Sequence, residues 1–252
     1  MPVTDEELTA LLVDARAASA AGASTLGRYS AATVTAQVKG EFGNVVTEAD
    51  LAAERAAREV LEQRRPQDTV SGEELATTGA GSRIRWSIDP LDGTTNFTRS
   101  IPFYCTSVAA YDAVEDVWLV GAVDAPALGR RYWAARGQGA WRETAGAVQQ
   151  LHGPRLTATT ALLGMGLSYS ESVRAEQLAA LPALMADFSD VRRLGSAALD
   201  LCLVADGTLD AFIESDLAEH DWAAGAVIAR EAGLAVEVPA RPGGIVSARA
   251  IP

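Results

Sequence analysis

Apolar and polar positions along the chain change their period near its middle. Over residues 5–29 an alanine-rich segment repeats Leu8, Leu11, Leu12 and Ala15 at helical spacing, which predicts an amphipathic helix. Residues 38–46 (VKGEFGNVV) contain two glycines and read as a loop or flap. A second helix is expected to start at Thr47, a good N-cap, with acidic Glu48 and Asp50 in its first turn. Leu51, Val60 and Leu61 give it an apolar side, and Pro66 lies just past its end. Short β-rich runs follow at 84–88 (IRWSI), 105–111 (CTSVAAY), 117–123 (VWLVGAV) and 131–135 (RYWAA), and Gly137 and Gly139 mark a turn. From about residue 150 the elements alternate: strands at 161–166, 190–194 and 209–214, helices at 171–187, 196–205 and 221–232. A strand-rich half followed by an alternating half predicts an α+β half over 1–149 followed by an α/β half over 150–252.

Composition narrows the classes. The chain has 252 residues, enough for a sizeable core, and its 48% hydrophobic and 21% charged content is that of an ordered globular protein. Its net charge of −12 is wrong for gripping nucleic acid or an anionic membrane by bulk charge. No uncharged apolar run approaches the ~18 residues of a membrane span. The opening MPVTDEEL is acidic, unlike a secretory leader. Cys105 and Cys202 lie in apolar runs and read as buried thiols. The cytoplasm is the expected setting.

Three acidic clusters fall where turns or element ends are expected. They are Ser71-Gly72-Glu73-Glu74, Asp89-Pro90-Leu91-Asp92-Gly93-Thr94-Thr95-Asn96-Phe97, and His220-Asp221-Trp222-Ala223-Ala224-Gly225. Taken singly, Asp221 also suits an N-cap, and Glu73 and Glu74 also suit a turn. The Asp89–Asp92 pair is different. Two carboxylates three residues apart in a constrained turn repel each other unless a cation lies between them, and no Lys or Arg falls between Asp89 and Thr95. Hard oxygen donors without a Cys or His cluster point to Mg²⁺ or Mn²⁺ over zinc. Mg²⁺ so held keeps places for water and phosphate oxygens, which suggests metal-assisted phosphate chemistry.

These strings resemble the signatures of the inositol monophosphatase family of Mg²⁺-dependent, lithium-sensitive phosphatases. Lys39 with Val46-Thr47-Glu48-Ala49-Asp50 is similar to that family's flap and helix start, and Arg193-Leu194-Gly195-Ser196-Ala197-Ala198-Leu199-Asp200 to its substrate-side segment. The likeness runs from about residue 36 to 235. It implies a layered α/β/α/β/α sandwich of the inositol monophosphatase and fructose-1,6-bisphosphatase type, and a homodimer. It implies two or three Mg²⁺ ions per site, Mn²⁺ being an alternative. Glu73, Asp89 and the Leu91 carbonyl would hold one ion; Asp89, Asp92 and Asp221 the second. Thr94, oriented by Asp50, would bond the attacking water, with Glu74 supporting it. Gly93 and Thr94 amides would hold phosphate. Gly195, Ser196, Ala197 and Glu214 would contact the alcohol part, beside Asp92 and Asp221.

The implied activity is hydrolysis of an inositol 1-phosphate-like polyol or cyclitol phosphate by direct attack of a metal-activated water. Histidinol phosphate, fructose 1,6-bisphosphate and a nucleotide 3′-phosphate are the alternative substrates. A non-catalytic role beside transcription or RNA machinery, which some relatives take on, fits poorly with intact ligands and a low isoelectric point. Two departures stand out. Asn44 replaces the family's usual flap Asp, which weakens the case for a third ion. His220 stands where Trp is common, and is read as a substrate-side or packing residue. Arg130-Arg131 and Arg192-Arg193 read as ordinary surface pairs.

Overall fold

The computed structural model describes residues 2–29, 34–39, 44–79, 81–154, 160–241 and 243–250. Of the flap expected over 38–46, residues 40–43 lie outside the described residues. Helix α1 (Asp5–Leu26) is capped by the Thr4 hydroxyl, which accepts from the Glu7 amide. Strands β1 (Gln37–Val38) and β2 (Val45–Val46) pair antiparallel and lead into α2 (Glu48–Arg64). Helix α2 begins at Thr47, with a full capping box closed by Asp50, an arrangement that stabilises by about 1 kcal/mol.

A seven-stranded sheet follows: β3 (Thr69–Gly72), β4 (Ile84–Asp92), β5 (Cys105–Asp112), β6 (Val117–Ala125), β7 (Arg130–Ala135), β8 (Ala140–Thr144) and β9 (Ala147–Leu151), in that spatial order. Within this sheet, among the described residues, only β3 and β4 pair in parallel. Between β4 and β5 a short helix α3 (Thr94–Thr98) is inserted. A five-stranded sheet takes the rest: β10 (Leu162–Met165), β11 (Asp190–Arg192), β12 (Ala211–Ser215), β13 (Ala235–Glu237) and β14 (Ile245–Arg249), in the order β11-β10-β12-β14-β13. Helices α4 (Glu171–Leu184), α5 (Ala197–Ala205) and α6 (Glu219–Glu231) connect its strands.

Strand alternation builds the layers. In β7, Trp133 and Ala135 face α1 and α2, while Tyr132 and Ala134 face α5 and α6. Helices α1 and α2 pack together on one face of the larger sheet, and α6 packs across the other. The crossover from β10 to β11 runs one way along the smaller sheet and that from β11 to β12 runs back. Right-handed crossovers then put α4 and α5 on opposite faces. The result is the layered α/β/α/β/α sandwich.

The largest apolar cluster lies in the middle layer and takes residues from both sheets, Cys105 and Tyr132 beside Leu199, Cys202, Phe212 and Ile228. Both thiols are buried and free. No described helix is long and apolar enough to cross a membrane.

Strand β14 buries alternate positions, Val246 and Ala248, but three strands carry no clear alternation in the sequence: β8, β9 and β13. Their sheet-forming residues are mixed polar, and β9 is exposed at its first four positions. The turn expected at Asp89-Pro90 is instead a continuation of β4. Asp89 pairs with Ser107 and Asp92 with Cys105, so three steps on β4 match two on β5. The missing N–H of Pro90 falls inside this bulge, where no ladder bond is lost.

Helix α6 approaches β6 so closely that a Cβ on Gly121 would stand 2.5 Å from the Ala224 carbonyl oxygen. Gly121→Ala should therefore cost about 1–3 kcal/mol by overpacking. Urea unfolding monitored by far-UV circular dichroism measures it; an unchanged midpoint would contradict the contact.

Candidate active site

One cavity of about 600 Å³ collects the three acidic clusters. Its first wall is the carboxyl end of the parallel pair β3–β4, which delivers Glu73, Asp89, Leu91 and Asp92. Its second wall is the carboxyl end of the parallel strands β11, β10 and β12, which delivers Arg193, Gly195–Ala197, Gly166–Ser170 and Asp216–Leu217. Strand order reverses at β10, and open sheets bind ligands at such a reversal, beyond the strand carboxyl ends. The N-terminus of α6 closes the third side with His220 and Asp221. Arg85 of β4 holds that helix end through a two-point ion pair with Glu219.

The bulge in β4 is what makes the Asp89–Asp92 pair work. In a regular strand, residues three apart point to opposite faces. The extra residue returns Asp92 to the face of Asp89, because their partners Ser107 and Cys105 are two apart. Gly93 then turns the chain with φ 98°, a left-handed value that suits glycine, and starts α3.

Asp89, Asp92 and Asp221 are each held by one oxygen, and Asp50 by both. Asp89 Oδ1 accepts from the Leu91 amide at 3.0 Å. Asp92 Oδ2 accepts from the Ser196 hydroxyl and the Ala198 amide, both at 2.7 Å, and so caps α5. Asp221 Oδ2 accepts from the Ala218 amide at 2.6 Å and caps α6. Asp50 Oδ2 accepts from the Thr47 amide at 2.9 Å, and Asp50 Oδ1 lies 3.0 Å from the Thr94 hydroxyl. That hydroxyl is also 3.0 Å from the Leu91 carbonyl, so its one proton has two acceptors. Asp50 thus caps α2 and meets Thr94 at the same time.

Lys39 is the only lysine or arginine among the described residues paired with these acids, donating to Glu74 Oε1 at 2.8 Å and Glu73 Oε1 at 3.2 Å. Asn44, just before β2, and Val45 also line the cavity. Burial pushes the Asp89 carboxyl well above the usual range, reinforced by Glu73, Asp92 and Asp221. Burial and then Asp221 raise Asp92. Glu214 is pushed up to about 8, first by burial and then by Asp221 and Asp92. Buried carboxylates so short of counter-charge are chemically suited to a hard divalent cation. The donor set fits: oxygens from Glu73, Asp89, Asp92, Asp221 and the Leu91 carbonyl face one cavity.

Several participants are not evident in the sequence. Glu54, fully buried in α2, accepts from the Glu74 amide at 2.7 Å and the Leu75 amide at 3.2 Å. Arg58 bonds Glu54 at 2.8 Å and the Leu75 carbonyl at 3.0 Å, so the pair fixes the loop that carries Glu73 and Glu74. Asn96 ties α3 to the substrate-side segment, donating to the Phe103 and Leu194 carbonyls at 2.8 Å each. Ser168, Tyr169 and Asp216 line the far end of the cavity with Glu214, and Ser168 donates to Asp216 at 2.5 Å. The carboxyl-end rule for parallel strands is the signal that could have found Ser168, Tyr169 and Asp216. Ser196, expected to contact the alcohol part, turns its hydroxyl to Asp92, while Gly195 and Ala197 line the cavity beside it. Arg130 and Arg131 pair with Asp206 and Asp124 as surface arginines, and Arg192 with Asp190, but Arg193 lines the cavity. His220 stands beside Glu73 and Asp221.

The fold is that of a phosphatase, and its acid-lined cavity gathers oxygen donors suited to a divalent cation. The inositol monophosphatase family model matches residues 6–250, and the chain belongs to that family. It is a phosphoric monoester hydrolase, as its named relatives are. Inositol-1-monophosphatase of Mycobacterium leprae is 44% identical over 208 residues, covering 79% of this chain and 69% of that protein. Histidinol-phosphatase of Streptomyces coelicolor is 36% identical over 220 residues, covering 86% and 81%. The solved structure of Mycobacterium tuberculosis SuhB superposes with a TM-score of 0.78 at 34% identity, covering 97% of this chain and 91% of that one.

The raised carboxyls set a pH dependence. A carboxyl whose folded pKa lies above its unfolded value of about 4 stabilises the fold at low pH and loses that contribution as pH rises through the folded value. With Glu214 up at about 8 and Asp89 and Asp92 also raised, the chelated protein should lose thermal stability between pH 5 and 8.5. Millimolar Mg²⁺ should flatten the decline. Melting temperatures in EDTA that stay level or climb over this range would contradict the burial of unpaired charge.

Proposed function

We propose that the chain hydrolyses the phosphomonoester of a small polyol or cyclitol, of the inositol 1-phosphate kind, with Mg²⁺ as its cofactor. The observation that carries the reading is the meeting of Glu73, Asp89, Asp92 and Asp221 with the Thr94–Asp50 pair in one cavity. Glu73, Asp89 and the Leu91 carbonyl would hold one ion; Asp89, Asp92 and Asp221 a second. Bound there, such ions supply the charge that activates water and neutralises the departing alkoxide.

The chain's own groups do the positioning. Asp50 Oδ1 accepts the Thr94 hydroxyl proton, which leaves a Thr94 lone pair to accept a proton from the attacking water. Asp50 is locked by its cap bonds to Thr47, so the Thr94 rotamer is fixed before substrate arrives. The amides at the start of α3 and the N-terminal ends of α5 and α6 direct positive backbone dipoles toward the phosphate. Gly195 and Ala197 leave room for a ring, and Glu214 and Asp216 offer acceptors to its hydroxyls. Lys39 and Glu74 hold the flap strand over the Glu73 loop.

Histidinol phosphate is the second reading. It is favoured by Glu214 and Asp216 together at the alcohol end, where an ammonium would find two carboxylates, and by the likeness to a histidinol-phosphatase.

Phosphate release tests both. Inositol 1-phosphate should be hydrolysed faster than histidinol phosphate, fructose 1,6-bisphosphate or adenosine 3′,5′-bisphosphate, and EDTA should abolish turnover. Asp92→Asn should lower kcat by roughly 10²–10⁴ without unfolding the protein. Full activity after metal removal would overturn the proposal, and a preference for histidinol phosphate would select the second reading.

Thr94 and Asp50 provide a separate check. Thr94→Ala and Asp50→Asn should each lower kcat strongly, and the double variant should be little worse than either, because groups acting as a unit are not additive. Additive losses confined to stability would reduce both residues to caps.

A further inference from the structure

We infer that His220 is a metal ligand, adding an imidazole nitrogen to the carboxylates of the proposed site and widening its preference toward Mn²⁺ and similar cations. The inference rests on the functional reading above. One donor atom each from Glu73, Asp89 and His220 lie within 4.8 Å of one another. His220 Nε2 stands 3.7 Å from Asp221 Oδ1 and 4.0 Å from Glu73 Oε2. Ligands about 2.1 Å from a shared cation lie about 3.0 Å apart when adjacent and about 4.2 Å apart when opposite. The observed separations to Asp221 and Glu73 fall between those values, too long for hydrogen bonds and short enough for a shared ion.

The environment of the ring leaves it little else to do. His220 is the second residue of α6. Its neighbour Glu219 turns outward to Arg85, and its other neighbour Asp221 turns inward and caps the helix. The His220 side chain follows Asp221 into the cavity and is only 20% exposed. Among the described residues its ring nitrogens form no hydrogen bond, so no second partner fixes it as a packing residue. An imidazole is a softer donor than a carboxylate. It raises affinity for Mn²⁺, Co²⁺ or Zn²⁺ more than for Mg²⁺, which prefers oxygen. An all-oxygen site becomes a mixed one by a single residue.

Pulsed electron paramagnetic resonance on the Mn²⁺-loaded full chain reads this directly, without turnover. The chain has two histidines, and His152 lines a different cavity with Asp206 and Asp210. The Mn²⁺ signal of the wild type should carry the ¹⁴N coupling of a directly bound imidazole, changing to ¹⁵N when only histidine is labelled. His220→Phe and His220→Asn should both lose the coupling. Their Mn²⁺ dissociation constants, measured by calorimetry, should rise about 10-fold or more, and their Mg²⁺ constants much less. Bound Mn²⁺ without imidazole coupling in the wild type would overturn the assignment while leaving the carboxylate site intact. Coupling that persists in both variants would also overturn it. Failure of Mn²⁺ to bind the wild type at all would sink the carboxylate site and His220 together.

Discussion

Mutual repulsion among carboxylates buried in one cavity is the constraint around which this molecule is arranged. Such groups cannot be left to solvent or to each other, and the fold holds them with backbone amides. Asp50, Asp89, Asp92 and Asp221 each give one oxygen to an amide at a helix start or a strand bulge. The second oxygen of Asp89, Asp92 and Asp221 remains for a ligand, and that of Asp50 accepts from the Thr94 hydroxyl. Capping thus does two tasks. It satisfies amides that helix ends leave without partners, and it fixes the carboxylates in orientation. The same helix ends bring positive dipoles to the cavity, which offsets part of the repulsion and favours an anionic substrate.

This arrangement explains why the acids come from distant parts of the chain. The larger sheet supplies Glu73, Asp89 and Asp92 at the ends of its parallel strands; α6 supplies Asp221. Their relative positions depend on contacts that cross the middle layer. Asp92 caps α5, Arg85 holds the start of α6, and Gly121 lets α6 settle on β6. Chemistry at the cavity therefore inherits its precision from packing well away from it. The buried Glu54–Arg58 pair serves the same end from the outer layer, since it sets the path of the loop bearing Glu73 and Glu74.

Much of the cavity was legible in the sequence. Asp89, Asp92 and Asp221 stand out because acids beside Pro, Gly or a helix start carry no nearby basic residue. Thr47 and Asp50 announce a helix start, and the structure uses them as one. The bulge was not legible: Pro90 after Asp89 reads as a turn, and only the pairing with β5 shows that the strand continues. Strands β8, β9 and β13 were missed because pairing with neighbours, rather than a clear alternation, defines them, and β14 because its apolar face is only Val246 and Ala248. Glu54 on an otherwise amphipathic helix reads as a solvated residue until the loop from another part of the chain covers it. His220 reads as a substrate-side or packing residue, because nothing in the local sequence places Glu73 beside it.

The central claim is that the carboxylate cavity is built around divalent cations bound beside phosphate. Anomalous diffraction at the manganese edge, from crystals grown with Mn²⁺ and inorganic phosphate, tests it most directly. The account predicts one peak among Glu73, Asp89 and the Leu91 carbonyl, a second among Asp89, Asp92 and Asp221, and phosphate density between them and Gly93–Thr94. Crystals that hold phosphate there with no manganese peak, or manganese only at sites away from Asp89 and Asp92, would contradict it.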